Sequence, residues 1–328
     1  LIRLGVIGTN WITERFLEAV NEVEDLALTA VYSRTAEKAS EFAGKYEVHR
    51  TFTNLEEMAS SDEIDAVYIA SPNSHHCRQA VLFLKNKKHV ICEKPMASNA
   101  AEVKEMIEAA QQNGVLLMEA MKSTIMPNFR SVQENLGKIG EVRRFTASFC
   151  QYSSRYDAYK QGTVLNAFNP EFSSGSLMDI GIYVIYPLVA LFGKPNKVQA
   201  SGTMLDSGVD GQGSILLSYD DMEAVVTFSK ITQSDQPTEI QGELGSMLIQ
   251  KISGPQAVDI QYRDGTVENI SVKQDMHSMY YEAKEFVELI QQGKLESDIN
   301  TFSNSLTTIE IMDEARRQIG VVFPADRL

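Results

Sequence analysis

Lys94 has the most chemically suggestive setting in the chain. It lies in His89-Val90-Ile91-Cys92-Glu93-Lys94-Pro95, just past a short apolar run, with a glutamate before it and a proline after it. Such a run reads as a buried parallel strand, and open α/β sheets bind ligands outside the carboxyl ends of those strands. The proline removes a backbone donor and stiffens the chain. A cation held there can bind an anion or steady negative charge developing on a substrate oxygen. The plainer alternative is a surface lysine.

Gly8-Thr9-Asn10-Trp11-Ile12-Thr13 follows the first apolar run, where a dinucleotide fingerprint would read GxGxxG. Only the first glycine is present. Asn10 replaces the second, and is expected to keep the turn because Asn tolerates left-handed backbone next best to Gly. Thr13 replaces the third and is expected to pack less closely on the sheet. An ordinary βα turn would fit these six residues too. Further on, Tyr32-Ser33-Arg34-Thr35 lacks the acidic residue that binds a ribose 2′-hydroxyl in NAD sites. Ser33 and Arg34 suit a 2′-phosphate instead, with Lys38 one turn later, so NADP(H) is favoured over NAD(H). The alternative is a solvated turn that opens a helix. Ser71-Pro72-Asn73-Ser74-His75-His76 ends another apolar run, and Pro72 and Asn73 would border the nicotinamide. His76 is counted on the cofactor side, although packing is the simpler role for both histidines.

These residues need elements to position them. Strands are expected at 2–7, 26–32, 66–70, 90–92 and 115–118, and helices at 11–23, 36–46, 75–86 and 100–113, the last stopped by Gly114. Strands alternating with helices imply parallel βαβ units and a doubly wound sheet. After about Met121 the pattern changes. Helices are expected at 128–136 and 176–192. Strands are expected at 142–149, 198–204, 213–219, 223–230, 238–242, 246–251, 257–262 and 267–272, with turn signals such as Asp210-Gly211 and Asp264-Gly265 between them. Helices at 278–292 and 302–319 close the chain. The expected class is α/β: a Rossmann domain over 1–121, then an α+β domain over 122–328 with a mostly antiparallel sheet. The C-terminal helix is allowed to pack back on the first domain.

Composition sets outer bounds. The chain has 328 residues, 43% hydrophobic and 23% charged, with a formal net charge of −14. That charge opposes nonspecific nucleic-acid binding, which needs surplus Lys and Arg. Three cysteines without a CxxC pair make a disulfide scaffold or a metal site unexpected and fit a reducing cytoplasm. No signal peptide is expected before the first strand. The apolar run at 180–192 is short for a membrane span and is broken by Pro187, so no membrane role is expected.

Four segments in order carry a family resemblance: the first strand with its turn, Ser71 to His76, Glu93-Lys94-Pro95, and Gly175-Ser176-Leu177-Met178-Asp179-Ile180-Gly181-Ile182-Tyr183. Over essentially its whole length the chain resembles the glucose–fructose oxidoreductase / inositol dehydrogenase / MocA family. Met118-Glu119-Ala120-Met121 with Pro127, and Met279-Tyr280-Tyr281-Glu282, resemble its branch of dimeric dihydrodiol dehydrogenases and NADP-dependent xylose dehydrogenases. The resemblance implies a Rossmann domain, an open-faced sheet domain, and hydride transfer between NAD(P) and a sugar, polyol or vicinal diol or dicarbonyl. It implies a homodimer or tetramer through that sheet. Tyr183 stands where many members have histidine, and Ser174 where the family has the first glycine of a pair.

Within that frame, Asp179 and Tyr183 are four apart and share one face of a helix. Tyr183 is assigned as proton donor or acceptor, with Lys94 as competitor. The Lys94 ammonium would favour the tyrosinate and bind the substrate oxygen. Asp179 would orient a substrate hydroxyl and balance the lysine charge. Gly8, Thr9, Asn10, Trp11, Ile12, Ser33, Arg34, Ser71, Pro72, Asn73, His76, Glu93 and Lys94 form the expected cofactor side. Glu93 is expected to orient its loop. Tyr156 and Asp157 are candidates for the substrate pocket. Two other functions use the same scaffold: a glycosidase that retains NAD, and a nucleotide-sensing regulator.

Overall fold

The structure is a computed structural model and describes residues 1–327. The chain divides into two compact units. The first is Leu1–Lys122 with Met276–Phe302, and the second is Ser123–Asp275 with the chain from Ser303 onward. The helix Ser278–Gln291 thus belongs to the first unit, and most of the helix Phe302–Ile319 to the second.

In the first unit, β1 (Ile2–Ile7), β2 (Leu26–Tyr32), β3 (Arg50–Phe52), β4 (Ala66–Ile69), β5 (His89–Glu93) and β6 (Leu117–Ala120) form one sheet in the order β3-β2-β1-β4-β5-β6. Every pair is parallel. The order reverses between β1 and β4, and this switch point is where doubly wound sheets bind dinucleotides. Leu4, Val6, Val67, Tyr68, Val90 and Ile91 are fully buried in the sheet. Each side chain of that size contributes roughly 1.5–3 kcal/mol by leaving water. Gly114 is left-handed at φ 66° and caps the helix Ala100–Asn113, as its position predicts. The short β3 and the helix Leu55–Ser60 are absent from the sequence-based expectation. Three residues carry too little alternation to read.

The second unit holds an eight-stranded sheet of β7 (Val142–Cys150), β8 (Lys197–Met204), β9 (Asp210–Ser218), β10 (Glu223–Ser229), β11 (Thr238–Gly242), β12 (Gly245–Gln250), β13 (Ala257–Tyr262) and β14 (Val267–Asn269). Its order is β14-β13-β12-β11-β7-β10-β9-β8. All neighbours are antiparallel except β7 and β10, which run parallel. Phe145, Val226, Ile215, Ile240, Met247 and Ile260 point to the buried face, which the helix Ile182–Phe192 covers at β7 and β10 and the segment Pro127–Ile139 covers at β12 and β13.

The helix expected at 176–192 is not uniform. It opens with a wide π turn, Leu177–Gly181, and continues as the α-helix Ile182–Phe192, which contains Pro187. By length and composition the stretch Pro170–Phe192 would reach across a membrane, which corrects the expectation that no run is long enough; in the structure most of its apolar window is buried in the protein.

Candidate active site

Gly8 follows β1 with φ 105°, and a Cβ there would lie 2.6 Å from the Ala70 carbonyl oxygen. Only glycine allows the ends of β1 and β4 to approach so closely at the switch point. Asn10 is extended at φ −108°, which corrects the expected left-handed turn. Its side chain instead caps the helix Trp11–Val20, accepting from Ile12 N (3.0 Å) and Thr13 N (3.3 Å), and donates to the Ala70 oxygen at 2.7 Å. One amide therefore fastens helix, turn and β4. Thr13 is fully buried and its hydroxyl donates to the Gly8 carbonyl at 2.9 Å, so the expected looser packing does not occur. Thr9 and Ile12 are half-buried and Trp11 is 63% exposed.

Ser33 is buried beyond β2, whereas Arg34 is exposed. The guanidinium groups of Arg78 and Arg34 both act on His75, whose pKa is pushed down first by burial and then by these charges. Arg34 and Arg78 thus both bring positive charge to His75, and Arg78 was invisible to sequence reasoning because nothing along the chain links it to Arg34. Ser71 donates to Gln79 at 2.6 Å, and Ser71, Pro72 and Asn73 stay half-buried after β4. The switch-point glycine, the capped helix and the exposed arginine fit a dinucleotide with an extra phosphate.

The Glu93-Lys94-Pro95 loop is braced from several sides. Tyr68 donates to Glu93 at 2.5 Å, and Tyr68 stacks on Phe16 with ring centroids 3.9 Å apart. Glu93 is therefore turned inward; burial raises its pKa, opposed by the Lys94 charge. Behind it lies Glu282, fully buried, with neither carboxyl oxygen hydrogen-bonded. Burial and the Glu93 charge push Glu282 well above the ordinary carboxyl range. His76 is buried with Nδ1 3.0 Å from the Pro95 oxygen and Nε2 2.8 Å from the Ser71 oxygen. Burial lowers its pKa to about 4, so the neutral ring donates to one carbonyl at a time. His76 is thus a brace between two loops rather than a ligand-facing group. Met96 N donates to Glu119 at 3.0 Å. Lys94 itself is half-buried, and its peptide bond to Pro95 is cis.

In the second unit, Asp179 lies on the π turn and Tyr183 on the first turn of the α-helix after it; both are half-buried. Tyr183 packs edge-on to Phe149 at 5.7 Å. Tyr186, by contrast, is fully buried, with its hydroxyl 3.0 Å from Ser305. The Asp179 carboxylate accepts from Lys230, just past the end of β10, which sequence reasoning left as an undistinguished strand residue. The Lys230 ammonium also lies 5.2 Å from the Phe168 ring centroid. Gly175 has φ 126°, and a Cβ there would lie 2.5 Å from Asp210 Oδ1. Asp210 is fully buried and accepts from Leu177 N at 2.7 Å, which anchors the π turn. Burial pushes its pKa up to about 6. Ser174, in place of a family glycine, is buried with its hydroxyl 2.6 Å from the Asn166 oxygen and 2.8 Å from the Asn169 oxygen.

Tyr156 and Asp157 lie on the short helix Ser154–Lys160. Tyr156 is half-buried and packs on Tyr159 and Phe168 at 5.9 and 5.8 Å. Asp157 is exposed; Tyr152 donates to it at 2.7 Å and Lys160 lies 2.8 Å away. A shallow groove between Leu136, Phe192, Tyr219 and Met222 contains none of the predicted residues.

A parallel sheet in this strand order, with a glycine at its switch point, defines a Rossmann-type dinucleotide-binding fold, here joined to a mostly antiparallel second sheet. The chain belongs to the GFO/IDH/MocA oxidoreductase family. Residues 2–121 match the family model described as "Oxidoreductase family, NAD-binding Rossmann fold", and residues 134–248 match the GFO/IDH/MocA C-terminal domain. The chain is 60% identical over 327 residues to scyllo-inositol 2-dehydrogenase (NADP(+)) IolU of Bacillus subtilis, covering all of both chains. It is 30% identical to trans-1,2-dihydrobenzene-1,2-diol dehydrogenase of Mus musculus, covering 99% of each. Among solved structures, KijD10, a 3-ketoreductase from Actinomadura kijaniata in complex with NADP and TDP-benzene, superposes with a TM-score of 0.84 at 25% identity, over 97% of this chain and 98% of that one.

Proposed function

We propose that this protein is an NADP(H)-dependent dehydrogenase that interconverts a ring alcohol of a cyclic polyol with its ketone. The full-length identity of 60% with an NADP(+)-dependent scyllo-inositol 2-dehydrogenase carries this reading. Bound NADP(H) would supply or accept the hydride. Gly8, Thr9, Asn10, Trp11 and Ile12 would hold its pyrophosphate side, and Ser33 and Arg34 its 2′-phosphate. Ser71, Pro72 and Asn73 would line the nicotinamide end. In this reading Glu93 and His76 act from behind, by holding the loop that carries Lys94.

The proton must move at the alcohol oxygen. Tyr183 is assigned that transfer and Asp179 a hydrogen bond from a neighbouring hydroxyl, and Lys94 is assigned to steady negative charge on a substrate oxygen. Their half-buried setting supports this, because side chains that act on substrate must reach it, whereas Tyr186 is sealed in the core. Tyr156 is assigned to the wall that meets the apolar face of the ring.

The protein is further assigned to a homo-oligomer through the second sheet's open face. Leu216, Val225, Thr146, Glu239 and Leu248 stand in one row there, all half-buried. Val225→Asp should lower the mass measured by light scattering. A cytoplasmic location is consistent with three cysteines that are all free.

The deciding experiment follows NADPH formation from NADP+ with scyllo-inositol, its epimers, xylose and a cyclic trans-diol, repeated with NAD+. Turnover with inositols and NADP+ is expected. Turnover confined to open-chain or aromatic diols, or equal use of NAD+, would overturn the reading.

A further inference from the structure

We propose that Lys230 is a positioning residue for the reaction, acting through Asp179. The inference rests on Asp179 meeting substrate, as proposed above. Its observations come from the second unit alone. The Lys230 side chain is only 8% exposed, while that of its partner Asp179 is 24% exposed. A buried ammonium is costly unless it is paired. Lysine is among the residues least often buried, so a buried one bonded to a candidate substrate-binding carboxylate calls for a reason.

The surroundings make the pair rigid from both ends. Lys230 N donates to the Gly211 carbonyl at 2.9 Å. The Ser229 hydroxyl just before it accepts from Ile231 N and Thr232 N at 3.2 and 3.0 Å. Ser229 itself is in register with Cys150 of β7. Asp179 stands on a turn fixed at Leu177 by Asp210, and its own N donates to the Gly175 oxygen at 3.0 Å. Phe168, fully buried, lies over the ammonium and excludes water from that side.

The role follows from charge and geometry. Two carboxylates, Asp179 and Asp210, act on each other electrostatically, and Lys230 acts on both. Without that cation, the half-buried Asp179 carboxylate would lose its bonded partner and keep only the repulsion of the Asp210 carboxylate, which turns it away from its present orientation. With it, one oxygen of Asp179 is pinned inward and the carboxylate keeps one orientation towards the side from which a hydroxyl can donate. The substrate class this serves carries a hydroxyl beside the reacting carbon. The Phe168 ring continues into Tyr156 and Tyr159, at 5.8 and 5.5 Å, so the same ammonium also ties Asp179 to the aromatic wall.

The test is a double-mutant cycle in the full-length protein, using Lys230→Met, Asp179→Asn and the pair. Lys230→Met should lower kcat/KM for the polyol by about 10²-fold, the scale of a 1 Å misplacement, and leave the NADPH dissociation constant unchanged. In the Asp179→Asn background, adding Lys230→Met should change kcat/KM by less than about threefold. Lys230→Arg, which keeps the charge in another shape, should recover about tenfold of the loss. If Lys230→Met does not fold, Lys230→Gln takes its place in the cycle. Losses that multiply, or a Lys230→Met enzyme with wild-type kcat/KM, would overturn the inference and leave the function standing. An Asp179→Asn enzyme with wild-type kcat/KM would overturn the inference and the role assigned to Asp179, and leave the polyol dehydrogenase reading standing.

Discussion

The Lys230 ammonium is bonded to the Asp179 carboxylate inside the second unit, beneath the Phe168 ring. Charge balance for Asp179 is therefore met within its own unit. The expectation that Asp179 serves to balance Lys94 is not needed to explain its burial. Under the proposed function, this would leave Asp179 as a held acceptor for a substrate hydroxyl and Lys94 to act at a substrate oxygen.

Tyr183→Phe removes only a hydroxyl and keeps the edge-on contact with Phe149. If Tyr183 moves the proton, kcat should fall by about 10²–10⁴-fold. The melting temperature and the NADPH dissociation constant should stay at the wild-type values. Lys94→Ala should lower kcat on a similar scale. Steady-state rates and a thermal melt check both variants.

Arg34→Ala tests the 2′-phosphate assignment. A hydrogen bond to a charged group contributes about 1.5–3 kcal/mol. KM for NADPH should therefore rise by about 10–100-fold, and KM for NADH should barely change. Arg78→Ala should move KM for NADPH in the same direction, because Arg78 joins Arg34 in the positive field on His75.

Asn10→Ala removes the cap of the helix Trp11–Val20 and the bond to the Ala70 oxygen. Loss of the cap alone costs about 1 kcal/mol. The variant should melt several degrees lower and bind NADPH more weakly. Asn10→Asp, which can cap but cannot donate to Ala70, should recover only part of the stability. Differential scanning calorimetry with and without NADPH separates the two effects.

Asp210 gives a pH dependence of stability. Its folded pKa is raised from 3.8 to about 6, so the folded state favours the protonated carboxyl. That contribution is complete below about pH 4 and is lost as pH rises towards about 6. Asp210→Asn keeps an acceptor for Leu177 N and carries no charge. It should therefore melt higher than wild type at neutral pH, by on the order of 1–3 kcal/mol, and the gap should close in acid. Denaturant melts from about pH 4 to about pH 8 provide the measurement.

Glu282 has the same sign and a different location. Its pKa is raised well above the ordinary 4.5 by burial and by Glu93. The folded state therefore favours the neutral carboxyl more than the unfolded chain does, and that contribution is lost as pH rises through the raised value. Glu282→Gln should match wild type in mild acid and lose less stability than wild type in alkali. An equal alkaline slope for the two proteins would show that Glu282 is ionised in the fold.

Much of the first unit is written locally. Val90-Ile91-Cys92 is apolar on both faces, as a central parallel strand requires, and Gly114 marks a helix end by its tolerance of left-handed backbone. The Ser71-to-His76 and Glu93-Lys94-Pro95 segments follow strands and so had to lie at the carboxyl edge of the sheet. Asp179 and Tyr183 were legible only through their spacing and their resemblance to a family. The π turn that carries Asp179 was not, because it is anchored at Leu177 by Asp210, 33 residues further along.

What the sequence determined by itself is the alternation of elements, the family, and the residue types at the candidate site. Periodicity and motif spacing are local properties, and they survive without coordinates. Tertiary structure alone decided which charges are paired. It brought Lys230 from the end of β10 to Asp179, Glu282 behind Glu93, and both Arg34 and Arg78 to His75. Those pairings join residues far apart in the chain, and their energies depend on burial. Neither separation in space nor exclusion of water is encoded at any single position.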